Sequence, residues 1–257
     1  MTAESRVREQ QLIGLLRQEG YIAIQDLVVR LGLSRSTVRR TLGGLAEAGL
    51  VRLVHGGAVA TDAGGSEGAE TPATRVAMLA EKQRIAAAAA GFIRDGDMVF
   101  IDTGSTTYEL VPHLKAKQGL TVLTNDLHIA HELVGCPGVT VVVTGGTLGM
   151  GNPYSLVGRP AEQTVGLFVA NRCIIGASGI DAVHGITDPY PEVAQVKAAM
   201  MRQAAEVMLI ADHTKLGRMH KALVAPVQGA HRLITDAGAS PQEAERLRAA
   251  GVEVLLC

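Results

Sequence analysis

Seven short apolar runs constrain this chain most. They are Met98–Ile101, Leu120–Leu123, Val139–Val143, Cys173–Ile175, Val207–Ala211, Arg232–Thr235 and Val252–Leu256. Between them lie segments with helical spacing, among them 74–93, Leu127–Leu133, Pro191–Met208 and Pro241–Ala250. Apolar strands that alternate with helices bury both faces, so the spacing predicts an α/β domain with a largely parallel sheet covered on both sides. Such sheets bind ligands in the crevice beyond the C-terminal ends of their strands.

The residues at those ends are small, polar or charged. Met98–Ile101 exits into Asp102-Thr103-Gly104-Ser105-Thr106-Thr107, just before a helix expected near Thr107. Free amides at such a start favour an anion. The next exits are Thr124-Asn125-Asp126, Thr144-Gly145-Gly146-Thr147, Gly176 to Asp181 followed by His184 to Thr187, and Asp212-His213-Thr214-Lys215. Hydroxyls, amides and Lys215 suit a phosphate, while Asp102, Asn125 and Asp181 suit sugar hydroxyls. Taken singly these pieces are weak. Gly-Ser-Thr-Thr is as often a plain helix cap, Gly145-Gly146 a sharp turn, and Lys215 or Lys197 a solvated lysine. Their recurrence at one end of successive strands favours a site. His184 and His213 have no partner at metal-ligand spacing, so neither a metal nor a cofactor is expected.

The first 60 residues read differently. Val7, Gln11, Leu12, Leu15 and Leu16 predict a helix over Ser5–Gln18, closed by Gly20. Ile22-Ala23-Ile24 is β-like. A second helix, Gln25–Leu31, turns through Gly32 into Ser34, an N-cap for a third helix that Gly49 stops. That helix begins Arg35-Ser36-Thr37 and carries Arg39 and Arg40 one turn in. Leu50–Val54 and the His55-Gly56-Gly57 turn then form a hairpin. This is a winged helix-turn-helix, whose third helix can enter a DNA major groove. Two arginines on a helix are more often a solvated face, but the charge is unevenly placed. Residues 1–60 hold 8 Arg, no Lys and 5 acidic residues, a net of +3; the remainder carries −4.

The N-terminal pattern resembles the DeoR family of bacterial transcription regulators. The matching residues are Ser34-Arg35-Ser36-Thr37-Val38-Arg39-Arg40 and Arg52-Leu53-Val54-His55-Gly56-Gly57-Ala58. Thr41 departs from the Asp usual there. The resemblance continues through Asp102 to Thr106, Thr124-Asn125, Gly145-Gly146, Gly176 to Thr187, Val196-Lys197 through Met200, and Asp212 to Gly217. It implies a sensor domain similar to ribose-phosphate isomerase in fold and generally without catalysis. It also implies an effector pocket for a phosphorylated sugar or related metabolite, formed by Asp102, Gly104, Ser105, Thr106, Thr107, Asn125, Gly145, Gly146, Asp181, Lys197 and Lys215. Asp126 replaces a common Ser and is expected to add a carboxylate near that pocket. The DNA contacts implied are Ser34, Arg35, Ser36, Thr37, Arg39 and Arg40 on the helix, with Arg52 and His55 on the wing.

The expected organisation is a DNA-binding head at 1–60, a Gly/Ala/Thr/Glu-rich linker at 61–73 and an effector-binding, oligomerising body at 74–257. No apolar run reaches the ~18 residues of a membrane span. The three cysteines have no metal spacing, which fits reduced thiols in a cytoplasmic chain. The reading is a repressor that binds a double-stranded operator as a homo-oligomer and responds to a sugar phosphate. The alternative is an isomerase-like enzyme with an accessory head, using Asp102 or Asp181 as base and Lys215 for the phosphate. A third reading is an architectural DNA binder without an effector, which the polar strand ends oppose.

Overall fold

The computed structural model describes residues 9, 11–13, 15–16, 21–47, 51–54, 56–60, 77–149 and 151–257. Contacts divide the chain into two units, Met1–Ala77 and Met78–Cys257. The linker expected at 61–73 lies outside the described residues.

In the first unit the order is β1 (Tyr21–Ala23), α1 (Ile24–Leu31), α2 (Arg35–Glu47), β2 (Val51–Val54) and β3 (Gly57–Ala60). The described residues of the expected first helix are helical, and its ends lie outside the description. Ile24 opens α1 instead of closing β1. Gly32, at φ 61°, adopts the left-handed conformation that ends α1 cheaply only for glycine. Leu12, Leu16, Leu27, Val38, Leu42, Leu45, Val51 and Ala58 share one core. The strands form an antiparallel sheet in the order β1-β3-β2.

The second unit is built on seven parallel strands: β4 (Met98–Ile101), β5 (Leu120–Thr124), β6 (Val139–Val143), β9 (Ala170–Ile175), β12 (Ala204–Ile210), β14 (Arg232–Thr235) and β15 (Glu253–Leu256). Their order across the sheet is β15-β14-β12-β9-β4-β5-β6. On one face pack α3 (Leu79–Ala90), α4 (Ser105–Tyr108), α5 (Val111–Leu114) and α6 (Leu127–Leu133). On the other pack α7 (Arg159–Val165), α8 (Pro191–Arg202) and α9 (Pro241–Ala249). Alternation along β4 sends Val99 and Ile101 to the first face and Phe100 to the second. Both faces are therefore apolar, as the continuous runs require.

Several details differ from the sequence expectation. The helix expected from residue 74 begins at Leu79, because Met78 sits at φ 56°, where a helix cannot propagate. The helix expected to reach Met208 stops at Arg202. The apolar residues Val207–Ile210 gain more from a place between β9 and β14, where they are buried on both faces. Two antiparallel pieces were not expected. One is the hairpin of β7 (Thr147–Leu148) and β8 (Leu156–Val157). The other is a small sheet of β10 (Gly179–Asp181), β11 (Gly185–Asp188) and β13 (Ala222–Ala225). Their strands are two to four residues long, too short for an apolar alternation to be read.

A ladder of charges crosses the N-terminal edge of the large sheet. Asp97 pairs with Arg172 of β9, whose Nε lies 3.4 Å from Glu206 of β12; Glu206 meets Arg232 of β14 at 2.7 Å, and Arg232 meets Glu253 of β15 at 2.7 Å. The Arg232 guanidinium also covers the Phe92 ring at 4.0 Å. The signs alternate strand by strand, so no like charges face each other. Arg172→Met should leave Asp97 and Glu206 without a shared cation and cost about 3 kcal/mol. Urea denaturation would show this as a lower midpoint with unchanged slope; an unchanged midpoint would remove the ladder from the stabilising contacts.

Candidate functional site

In the head, the N-terminal end of α2 is fixed by Ser34. Its Oγ accepts from the Thr37 amide at 3.2 Å and lies 2.9 Å from both the Ser36 and Thr37 hydroxyls. Val38, Leu42 and Leu45 turn inward, so Arg35, Ser36, Arg39 and Arg40 turn to solvent. No carboxylate among the described residues pairs with these guanidiniums. They stand free on one end of a helix, as groove reading requires. His55 and the side chain of Arg52 lie outside the description.

In the body, the winding direction reverses between β4 and β9. From β4 the chain moves outward through β5 and β6; after α7 it returns to the other side of β4 as β9 and continues outward through β12, β14 and β15. Loops leaving β4 and β9 therefore separate and open a crevice at this switch point. The loop after β4 holds Gly104, Ser105, Thr106 and Thr107 at the start of α4. Their four amides donate to no backbone acceptor among the described residues, while the amide of Thr103 is bonded to Asn125 Oδ1 at 3.1 Å. The Thr107 hydroxyl is spent on the Gly104 carbonyl at 2.9 Å.

Beneath this loop lies a buried ion cluster. Lys197 Nζ of α8 is 3.0 Å from Asp102 Oδ2 and 3.3 Å from Asp188 Oδ2, and donates to the Gly176 carbonyl at 2.9 Å. The three side chains are 0–5% exposed. The ammonium thus hydrogen-bonds one carbonyl and pairs by charge with two carboxylates. Burial pulls Lys197 downward, but Asp102 and Asp188 outweigh it and hold the ammonium above its ordinary range. Asp102 goes the other way: burial raises it to about 6 against the pull of Lys197. Neither Asp102 oxygen accepts a well-aligned hydrogen bond. Lys197 and Asp102 therefore lie behind the crevice wall and not on its surface.

Lys215 differs. It follows β12 on a short turn capped by Asp212, which accepts from the Thr214 amide at 3.0 Å. No carboxylate among the described residues pairs with it. β12 is two strands from β4, roughly 10 Å, a separation that a sugar phosphate can span.

The remaining expected residues are placed elsewhere. Asn125 is fully buried: Oδ1 holds the Thr103 amide and Nδ2 donates to the Leu156 carbonyl at 3.2 Å, so it ties β5 to β8. Asp126 does not add a carboxylate to the pocket. Its Oδ1 caps α6 through His128 N (2.7 Å) and Ile129 N (3.0 Å), and its Oδ2 accepts from the Thr103 hydroxyl at 2.7 Å. An acidic residue directly before an apolar helical run is a readable cap signal. Gly146 packs against the backbone of Val157, and the Gly145 amide donates to Thr164 Oγ1 at 3.4 Å. Asp181 lies at the far end of the β10–β11 hairpin, where Oδ1 holds the amides of Val183 (2.9 Å) and His184 (2.7 Å). Asp188 and Asn152 were missed by sequence reasoning. Asn152 donates to Thr103 Oγ1 at 2.7 Å, and no local spacing announces either partnership.

Comparison with known proteins decides the family. Residues 8–63 match the DeoR-like helix-turn-helix domain, and residues 78–237 match the DeoR C terminal sensor domain. The chain belongs to the DeoR family. Relatives of this DeoR-family protein include the transcriptional repressor AccR of Agrobacterium fabrum, 34% identical over 90% of this chain and 89% of that one. Another is the glycerol-3-phosphate regulon repressor of Haemophilus influenzae, 33% identical over 82% of each chain. Among solved structures, ribose 5-phosphate isomerase A from Methanocaldococcus jannaschii is similar over 54% of each chain, with 12% identity and a TM-score of 0.40.

The raised Asp102 sets a pH signature. Its carboxyl takes a proton more readily in the folded chain than in the unfolded one. Its contribution thus favours the fold at acid pH and is lost as pH rises from about 4 to about 6. The stability difference between the parent and Asp102→Asn should grow toward pH 4 by up to about 3 kcal/mol and level off above pH 6. Urea midpoints of both proteins across this range measure it; a difference that shrinks toward acid pH refutes the assignment.

Proposed function

We propose that this DeoR-family protein is a transcriptional repressor whose hold on DNA is set by a phosphorylated sugar or related metabolite bound at the β4–β9 crevice. The observation that carries the reading is the pairing of two unsatisfied sets of donors. Exposed, unpaired guanidiniums stand on α2 of the head, and free amides of Gly104 to Thr107 stand in the body, with Lys215 nearby. Phosphate oxygens satisfy both: the DNA backbone at the head and a metabolite in the body. The names of relatives point the same way, among them the glycerol-3-phosphate regulon repressor and a putative aga operon repressor of Escherichia coli O157:H7.

One head touches few base pairs, so selective binding needs two heads on half-sites about one helical turn apart. A dimer or tetramer held by the body supplies them. The effector then acts through its differential affinity for two arrangements of the heads, about 1–3 kcal/mol of coupling. An isomerase would need a base within reach of substrate. Asp102 is buried against Lys197, and the carboxylate of Asp181 is held by its own turn.

Replacing Arg39 and Arg40 together by Ala should abolish the shift of an operator duplex in a gel while leaving the melting temperature of the body unchanged; a retained shift would reject α2 as the reading helix. Lys215→Ala should leave DNA binding intact without effector and weaken the response to an active sugar phosphate about tenfold, the loss of one charge-assisted contact. A thermal-shift panel of phosphorylated sugars finds the active compound, and an unchanged dose response in the variant would place the phosphate elsewhere.

A further inference from the structure

The wing sheet holds a residue that the family motif does not single out. Tyr21 of β1 stands opposite Val59 of β3, and Arg52 of β2 stands opposite the same Val59. The three form one cross-strand row. Alternation turns Ile22 and Ala58 to the opposite face, where both are buried in the head core. The row lies on the sheet face opposite that core, and Val59 at its centre is fully buried.

The Tyr21 ring leans diagonally along β3 and lies on Gly57. Any Cβ at position 57 would collide with that ring and with the Ile22 carbonyl, so glycine there is the seat of the tyrosine. The lean carries the phenol toward the wing turn. Its hydroxyl ends 3.9 Å from the point where a side chain at Gly56 would begin. The Gly56 carbonyl in turn accepts from the Ile24 amide at 2.9 Å, so the wing turn, the start of α1 and the phenol are gathered at one corner of the head. The ring is half-buried, and its hydroxyl has no partner among the described residues.

A phenol is a donor that phosphate oxygens accept, and tyrosine hydroxyls serve as backbone contacts on duplex DNA. The approach to the exposed wing turn at Gly56 and a hydroxyl without a partner among the described residues converge. We propose that Tyr21 is a DNA-backbone contact whose hydroxyl donates to a phosphate flanking the base pairs read by α2. This rests on the reading of the head as the DNA-binding unit. A phosphate contact carries no sequence information, so it adds to affinity on every duplex alike.

The test uses the full chain and two labelled duplexes, one selected by this protein from a random pool and one of scrambled sequence, followed by fluorescence anisotropy. Tyr21→Phe keeps the ring on Gly57 and removes only the hydroxyl. It should weaken both duplexes about 5- to 20-fold, leaving their ratio unchanged. Tyr21→Leu, which loses ring and hydroxyl together, should be at least as weak. Parental affinity in Tyr21→Phe overturns the proposal, as does weakening confined to Tyr21→Leu, which would assign the ring to packing, or weakening confined to the selected duplex. The double Arg39→Ala, Arg40→Ala variant separates the two levels. If it still binds both duplexes as the parent does, the head reading itself fails; if it loses binding while Tyr21→Phe does not, only the tyrosine assignment fails.

Discussion

Lys197 joins the large sheet of the body to the small one, between which no strand pairing runs. Asp102 leaves the centre of the large sheet, Gly176 leaves β9, and Asp188 ends β11 of the small sheet; one ammonium on α8 contacts all three. A lone charge in that position would cost several kcal/mol in desolvation, so the cluster exists only as a complete set. Completeness also fixes geometry. The Asp102 carboxylate cannot swing without leaving Lys197 short of a counter-charge, and Asp102 begins the loop whose amides face the crevice. The posture of Gly104 to Thr107 is therefore inherited from a contact one layer below.

That arrangement divides labour between two lysines of identical chemistry. The cluster holds two carboxylates against one ammonium, a net negative charge buried from solvent, and its lysine is enclosed with them. A metabolite phosphate would gain nothing from Lys197. Lys215, on a turn two strands away, has its donors unspent. In the proposed reading the crevice holds its shape through one lysine and presents charge through another. Burial and partner geometry assign those roles, which residue type alone does not.

The same distinction explains what could be read in the sequence. Apolar runs and helical spacing are local and repeat every few residues, so the parallel sheet, most helix positions and the polar strand exits were legible. The helix-turn-helix was legible because Gly32 and Ser34 are local stop and start signals. Long-range pairing leaves no such trace. Lys197 looked like a mid-helix surface lysine because its partners lie 95 and 9 positions away in the chain. Asn125 and Asp126 looked like ligand donors because they follow a strand, yet they are spent on Leu156 and on the cap of α6. Strand exits collect polar residues for two reasons, binding and holding loops together, and spacing does not separate the two. The overlong α8 failed for a related reason. Helical spacing persists past Arg202, but burial between two parallel strands outweighs propensity.

Charge placement gives the two units different relations to a polyanion. The first 60 residues have a net of +3, whereas residues 78–257, with 15 basic and 17 acidic residues, have a net of −2. A duplex is attracted more to the first than to the second, so long-range electrostatics favours approach at the head. In the proposed reading the body presents its anion cradle through amides and one lysine, a different set of donors from the arginines of the head. A protein that must recognise phosphate twice, once on a polymer and once on a small molecule, faces cross-occupation of its two sites. Under the same proposal the two sites differ in donor: guanidiniums meet an extended backbone from an exposed helix, whereas amides recessed at a strand exit admit only a phosphate small enough to reach them.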